Sequence, residues 1–478
     1  MTIAAPLLDL QLATSGLAPG TAEWWRARFI ERIADRELVN EEIERYVNGQ
    51  HPTAFATSKY REAFGAMMSP LRDDWISVVV EAATERLAVV GLRGPSQDET
   101  GDAVAWDIWQ ANGLDARMPM GFDEAVKFGS AYLVVSPGDT PEDAPVILVL
   151  PSSRAVVERD PSRPTERAAG AHMWSEPDGS RHAVVWTREE RTEWATGGAA
   201  TLGAWEVVDR GPNPLGVVPI IPLPNRPSLR SPDGVSDIRD VLPLQDVVNK
   251  LACDMVVASE YVAFPQRWST GLEIPTDPET GKPVGSFISA INRLWTVEDK
   301  DIKFGEFSAA NLTNYTEPIE LVVRHIAAQT RTPPHYLMGN IVNASAEALK
   351  AAEAGLVSRV RAKHRTFGEG IEDAIRLAFR IAGDEERAAF AGWETIWQDP
   401  ETRTEAERVD ALTKLASLGV PQEALWAMVP GTTPQVVERW KVMAEGEALR
   451  MGLSLNPLGQ VPTAPVAPTT PAGDAAAA

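Results

Sequence analysis

Residues 332–383 read TPPHYLMGNIVNASAEALKAAEAGLVSRVRAKHRTFGEGIEDAIRLAFRIAG. The stretch opens as a stiff polar loop, Thr332-Pro333-Pro334-His335, then Met338-Gly339-Asn340 and Asn343-Ala344-Ser345. A long helix follows, carrying Leu349, Leu356, Val360, Phe367, Ile371, Ile375 and Phe379. These apolar positions advance by seven or four residues, so they fall on one stripe of an α-helix. A Pro-Pro, Gly and Asn loop feeding a long helix holds a loop at a defined point in space. It does not have the look of a catalytic pocket.

On either side of this stretch the chain is mixed. Helices are expected over residues 21–48, 74–90, 104–111 and 121–128, the last running into a strand at Ala131–Val135. Short Val-, Ile- and Trp-rich strands at 146–150, 154–157, 182–186 and 204–208 are separated by turn residues such as Pro177-Asp178-Gly179. Prolines in Val217–Pro222 make that segment an edge or connector. From Ser236 the pattern becomes helical again, with Leu244, Val248, Leu251, Met255, Ala258 and Val262 on a heptad-like seam. This helix ends near Phe264-Pro265. An insertion over 266–307 has strand candidates at 293–297 and 301–307, and a helix returns at 316–330. After Gly383 come Trp393–Trp397 and short helices at 404–418, 421–428 and 434–449. The Pro-, Ala- and Thr-rich tail from Asn456 cannot bury a core and is expected to be disordered.

With 478 residues the chain is too long for one core, and its 44% hydrophobic and 23% charged content is that of a folded protein. No apolar run reaches the roughly 20 residues that a membrane helix needs. Residues 1–20 have neither a basic start nor a continuous apolar core, so no signal peptide is expected. Cys253 is the sole cysteine, which rules out an internal disulfide and cysteine-based zinc sites. The net charge of −22 repels nucleic acid, so extensive binding through phosphate neutralisation is not the default reading.

Templates for chemistry fail. No phosphate-binding Gly-x-x-x-x-Gly-Lys, Gly-x-Gly-x-x-Gly, His-Glu-x-x-His or Gly-x-Ser-x-Gly occurs. The six histidines, His51, His172, His182, His325, His335 and His364, are scattered. Neighbouring carboxylates such as Glu372-Asp373 or Glu385-Glu386 do not face each other on a helix. The 15 tryptophans lie beside aliphatic residues, as core residues do. No catalytic residue, metal ligand or cofactor is therefore expected. Arg359, Arg361, Lys363 and Arg365 form the best basic feature, with Arg359 and Lys363 on one side of the helix and Arg361 and Arg365 on another. This patch either contacts DNA phosphates or makes salt bridges to acidic neighbours, within the chain or across a subunit interface. The acidic background favours the second.

Taken in order, several segments resemble the portal proteins of tailed double-stranded DNA bacteriophages, of the siphophage type. They are Asp74–Gly91, Ile108–Asp115 with Gly129–Val135, Ser236–Lys250 running to Phe264–Trp268, and Pro333–Leu337 with Asn343–Lys350. The resemblance spans residues 21–449. It implies an α+β portal fold assembled as a ring, usually of twelve subunits, with wing, helical stem, small β-containing clip and helical crown. By that resemblance residues 1–20 are an N-terminal arm and 21–235 the wing. Residues 236–264 and 309–331 are the stem helices, 265–308 the clip, and 332–345 the tunnel loop. Residues 346–383 are the long wing helix, 384–455 the crown, and 456–478 the tail. Met338, Gly339, Asn340, Ile341, Val342 and Asn343 would face the DNA. Arg267, Trp268, Lys282, Arg293 and Trp295 in the clip would dock partners. Those implied partners are further copies of the chain, double-stranded DNA, the terminase packaging motor, a head–tail adaptor, and the major capsid or scaffold protein. The implied location is the capsid vertex of a virion made in the host cytoplasm, with no membrane partner. No Lys or Arg lies between Pro333 and Ser345, which would let DNA slide. Two other readings are a carbohydrate-active enzyme with a Trp and carboxylate cleft, and another virion structural protein.

Overall fold

The computed structural model describes residues 14, 16–51, 58, 62, 73–95, 101–140, 143–197, 204–263, 267–271, 278, 301–307, 311–339, 346–401, 405–429, 432 and 434–450. Thr21 caps the first helix, α1 (Ala22–Val47), its hydroxyl accepting the Trp24 amide. Next come α2 (Ile76–Thr84) and β1 (Val89–Arg93). The helix expected over 74–90 therefore stops early, because its last valines are extended and hydrogen-bonded to a distant strand. Then follow α3 (Ala103–Ala111), capped by Asp102, and α4 (Leu114–Phe128), which starts seven residues before the expected 121 and accommodates Pro119 in its first turns. Gly129 ends α4 in the left-handed region, at φ 99°, where a side chain would be strained.

Seven strands come next: β2 (Ser130–Ser136), β3 (Val146–Pro151), β4 (Ala155–Asp160), β5 (Arg163–Ser175), β6 (Arg181–Thr187), β7 (Glu190–Ala195) and β8 (Glu206–Pro212). After β9 (Ile220–Pro224) and a 3₁₀ turn at Arg239–Val241, α5 (Leu242–Ala263) leads to β10 (Arg267–Thr270). The chain then continues through β11 (Lys303–Glu306), α6 (Thr313–Thr330), α7 (Pro334–Met338) and α8 (Ala346–Ala382). The last elements are α9 (Glu385–Ala389), β12 (Glu394–Trp397), α10 (Glu405–Ser417), α11 (Gln422–Ala427) and α12 (Pro434–Arg450).

The strands form antiparallel sheets. β2 is central in the order β3-β2-β9, with Leu133 opposite both Val149 and Ile221. Strands β4 to β8 make a five-stranded meander. Two of its strands, β5 and β7, went unread in the sequence. The inward residues of β5 are alanines 169 and 171, small enough to seat α1 through Phe29, and they carry little strand propensity. The largest core joins α3, α4, β2 and α8, with Phe122 stacked on Phe367 and Phe379 on Trp393. Gly370 lets α8 approach β9, since a Cβ there would meet Leu223 Cδ2 at 2.5 Å. A second core gathers α1, α2, α5, α6 and α7 around Ile43, Ile76, Val248 and Ile326.

α8 does not end the packed body at Gly383. β12 pairs with β1, Val89 lying opposite Trp397, so the expected division at residue 384 falls inside it. Among the described residues no helix is long and apolar enough to cross a membrane.

Candidate functional site

The charged centre of the molecule lies where α8 crosses the ends of α5 and α6. Asp237, just ahead of α5, is buried together with Arg359 and Lys363 of α8, which are 7% and 2% exposed. Arg359 reaches Asp237 Oδ2 with Nε at 2.9 Å and Nη2 at 2.5 Å, and Lys363 Nζ lies 2.6 Å from the same oxygen. Asn225 donates to Asp237 Oδ1 at 3.0 Å and accepts from Lys363. Arg359 also donates to the Thr330 carbonyl at 2.7 Å, the last residue of α6. Arg226 approaches Asp237 from the surface at 3.6 Å. One carboxylate therefore joins the end of β9, the start of α5 and α8, and Arg359 extends the link to α6.

Burial alone would raise the Asp237 carboxyl, but Arg359 and Lys363 outweigh it and hold it at about 2. For Lys363, burial wins over attraction to Asp237 and brings the ammonium down to about 8. The backbone around the cluster is tightly set. Asn225 N–H donates to the Gly129 carbonyl at 2.8 Å, and Asp237 N–H to the Val126 carbonyl at 3.0 Å. Among the described residues, the non-glycine residues with left-handed backbone are Arg226 at φ 49° and Arg331 at φ 54°, each directly after a member of the cluster, Asn225 and Thr330.

Helix α5 is clamped to α1 and to the residues that lead into α2 by a polar ladder. His51 Nδ1 meets Asn249 Nδ2 at 3.0 Å, and its Nε2 meets the Tyr46 carbonyl at 3.0 Å. Gln245 accepts the Trp75 amide at 3.1 Å and donates to the Asp73 carbonyl at 2.6 Å. Tyr46 donates to Asp246; burial pushes its phenol up, and the neighbouring carboxylate adds to the rise. At the far end of α5 and α6, β10 and β11 form a two-stranded antiparallel sheet in which Trp268 lies opposite Gly305. Trp268 packs across Gly305, where a Cβ would sit 2.4 Å from its ring.

These placements sharpen the expectations from sequence. Arg359 and Lys363 are not part of an exposed basic patch. The spacing that puts them on one side is right, but that side faces inward to Asp237. Arg361 and Arg365 are exposed, and Arg361 pairs with Glu401 at 2.6 Å. The expected loop at 332–345 begins as helix: α7 takes up residues 334–338, with Leu337 buried and Met338 packed on the second core. Gly339 follows at φ 65°, while Asn340, Ile341, Val342 and Asn343 lie outside the described residues. In the insertion, Trp268 is exposed and the Arg267 backbone pairs with Glu306, while Lys282, Arg293 and Trp295 lie outside the described residues.

The neighbouring carboxylates are structural. Glu372 accepts the Thr395 amide at 2.9 Å, and Asp373 pairs with Arg167. Trp106, Trp109, Trp194 and Trp393 are buried. Among the described residues no group of three or more His, Cys, Asp or Glu could hold a metal ion. Asp237 itself went unnoticed as an anchor, although it is the acid that opens the helical region after a run of strands.

The chain matches the family described as phage portal protein, SPP1 Gp6-like, over residues 71–448. It is 32% identical to the portal protein of Mycobacterium phage D29 over 467 residues, covering 92% of this chain and 95% of that protein. Identity to the portal protein of Mycobacterium phage L5 is also 32%, over 468 residues and the same shares. A chain in the neck of an empty gene transfer agent particle, computed with C6 symmetry, is 12% identical with a TM-score of 0.44, covering 84% of this chain and 95% of that one. That last likeness is too loose to carry an argument. The length and continuity of the match over both helical and stranded regions make the conclusion plain: this chain belongs to the phage portal protein family.

Proposed function

We propose that the chain is the portal subunit of a tailed-phage virion. Copies form the ring at one capsid vertex through which DNA is packaged and later ejected. The observation that carries this is the match to the portal family over residues 71–448, together with the two mycobacteriophage portal proteins that align along nearly the whole chain.

In this reading α1 to β9 and α8 form the wing. Helices α5 and α6 form the stem, and the insertion holding β10 and β11 is the clip, which docks the packaging motor and then the head–tail adaptor. The order helix, small two-stranded sheet, helix supports the assignment, since two packed helices can hold such a sheet away from the body. Trp268 is the docking residue of choice, being an exposed aromatic on that sheet. The crown begins after Trp397 rather than at 384, because β12 is hydrogen-bonded to β1. The DNA-facing loop is narrowed to residues 339–343, since Met338 packs on the core. The acidic charge supports passage of DNA without strong phosphate contacts.

Electron microscopy of the purified protein and of assembled particles tests the ring, and its absence from both would overturn it. Replacing residues 340–343 by glycine should leave rings intact and lower the yield of DNA-filled particles. Normal filling would remove the tunnel-loop assignment.

A further inference from the structure

Arg86 occupies the turn between α2 and β1, far in sequence from the proposed tunnel loop. The antiparallel register of β1 and β12 sets its backbone, and its side chain spans the rest of the distance. Val89 faces Trp397 and Gln398 N–H donates to the Ala88 carbonyl, so the same register continued outward brings residue 86 against residue 400. Its guanidinium is half of a fork with two targets. Nη1 donates to the Pro400 carbonyl at 2.7 Å, on the segment leading to α10, α11 and α12. Nη2 donates to the Tyr336 hydroxyl at 2.6 Å, on α7. Tyr336 in turn donates to Glu353 Oε1 at 3.2 Å, and Glu353 Oε2 lies 3.5 Å from Arg86. Tyr336 precedes residues 339–345 and Glu353 follows them, so one hydroxyl joins the two legs of that segment. The side chains of Arg86 and Glu353 are 13% and 16% exposed, which shields these bonds from water.

We infer that Arg86 is a positioning residue for DNA passage. It fixes the spacing between α7 and the first turns of α8, and it ties that spacing to the C-terminal helices through Pro400. The inference rests on reading 339–345 as the tunnel loop. Only a planar fork meets both targets from one side chain, so lysine cannot replace it. The Tyr336 hydroxyl serves as donor and acceptor at once, which phenylalanine cannot do while keeping the ring in place.

Hydrogen–deuterium exchange on the full-length protein, with Arg86→Lys and Tyr336→Phe, tests this. For Arg86→Lys, exchange should rise about tenfold at residues 334–338 and at 398–401 together, the size expected for losing a hydrogen bond to a charged group. For Tyr336→Phe it should rise at 334–338 and in the first turns of α8, with 398–401 unchanged. Arg361→Ala, which breaks the nearby Arg361–Glu401 pair, should leave 334–338 unchanged. Wild-type exchange at 334–338 in Arg86→Lys, or a rise spread evenly over the chain, would overturn the inference. Filled-particle yield is the second readout. A fall in both fork variants, at unchanged particle number, supports the positioning role. Raised exchange with normal filling would overturn the positioning role, and the tunnel-loop reading falls with it only if glycine at residues 340–343 also leaves filling normal, whereas unchanged exchange with poor filling would overturn the latch alone.

Discussion

The two halves of α8 hold the molecule together by different means. From Phe367 to Phe379 the helix is an apolar strut, with Phe367, Ile371, Ile375 and Phe379 packed into the largest core. From Lys350 to Lys363 only Leu356 and Val360 reach that core, and charges do the rest: Lys350 to Glu407, Glu353 to Arg86, Arg359 and Lys363 to Asp237, and Arg361 to Glu401. Apolar burial is strong and indifferent to direction, whereas a buried ion pair is worth little net stability but tolerates one geometry. The half remote from residues 339–345 thus draws mainly on apolar packing, and the half next to them adds buried charged contacts that fix position.

This contrast can be broken at graded strength. Asp237→Ala strands two buried cations, and thermal or denaturant unfolding should report a loss of about 3–5 kcal/mol. Acid offers a milder route to the same contact. The folded Asp237 carboxyl sits at about 2 against an ordinary 3.8, so the unfolded chain takes up its proton first. Its contribution is full above about pH 4 and is lost as pH falls toward 2, on the order of 2 kcal/mol, and the acid slope of Asp237→Ala should be shallower by that amount. Lys363 has the opposite sign: with the folded ammonium at about 8 against 10.5, the penalty for charging it is present below pH 8 and is relieved as pH rises toward 10.5. In the apolar half, Ile371→Val removes one methyl group and should cost about 0.5–1.5 kcal/mol with no change in acid slope. Arg361→Ala severs a half-exposed pair and should cost at most about 0.5 kcal/mol, falling to nothing at high salt.

The stripe on α8 shows how much was legible beforehand. Its apolar steps are fours, except for two sevens, from Leu349 to Leu356 and from Val360 to Phe367. The inward positions skipped by those sevens hold Glu353 and Lys363, the polar residues on which the two networks turn. Periodicity alone marks such positions as interruptions. It does not give the partner, because Asp237 and Arg86 lie more than a hundred residues away and reach α8 only through the fold. The helices 22–47, 103–111 and 405–417 were readable from caps and spacing, within a residue or two. The strand β1 was not, since Val89-Val90 continues an apolar helical run and becomes a strand only by pairing with β12. β7 was missed because Glu190–Ala195 is largely polar and is a strand by virtue of its two neighbours.

The length of α8 has a mechanical consequence. Its 37 residues make a rod roughly 55 Å long, gripped by Asp237 about 20–25 Å from the end that adjoins residue 345. A fulcrum so placed converts rotation into travel, and a tilt of about 5° would carry that end sideways by about 2 Å. The opposite end would swing by about 3 Å against Trp393 and β12, which resist it by close packing. The longer arm of the lever is therefore braced, so that force applied at the shorter arm is felt across the body rather than absorbed beside residue 345.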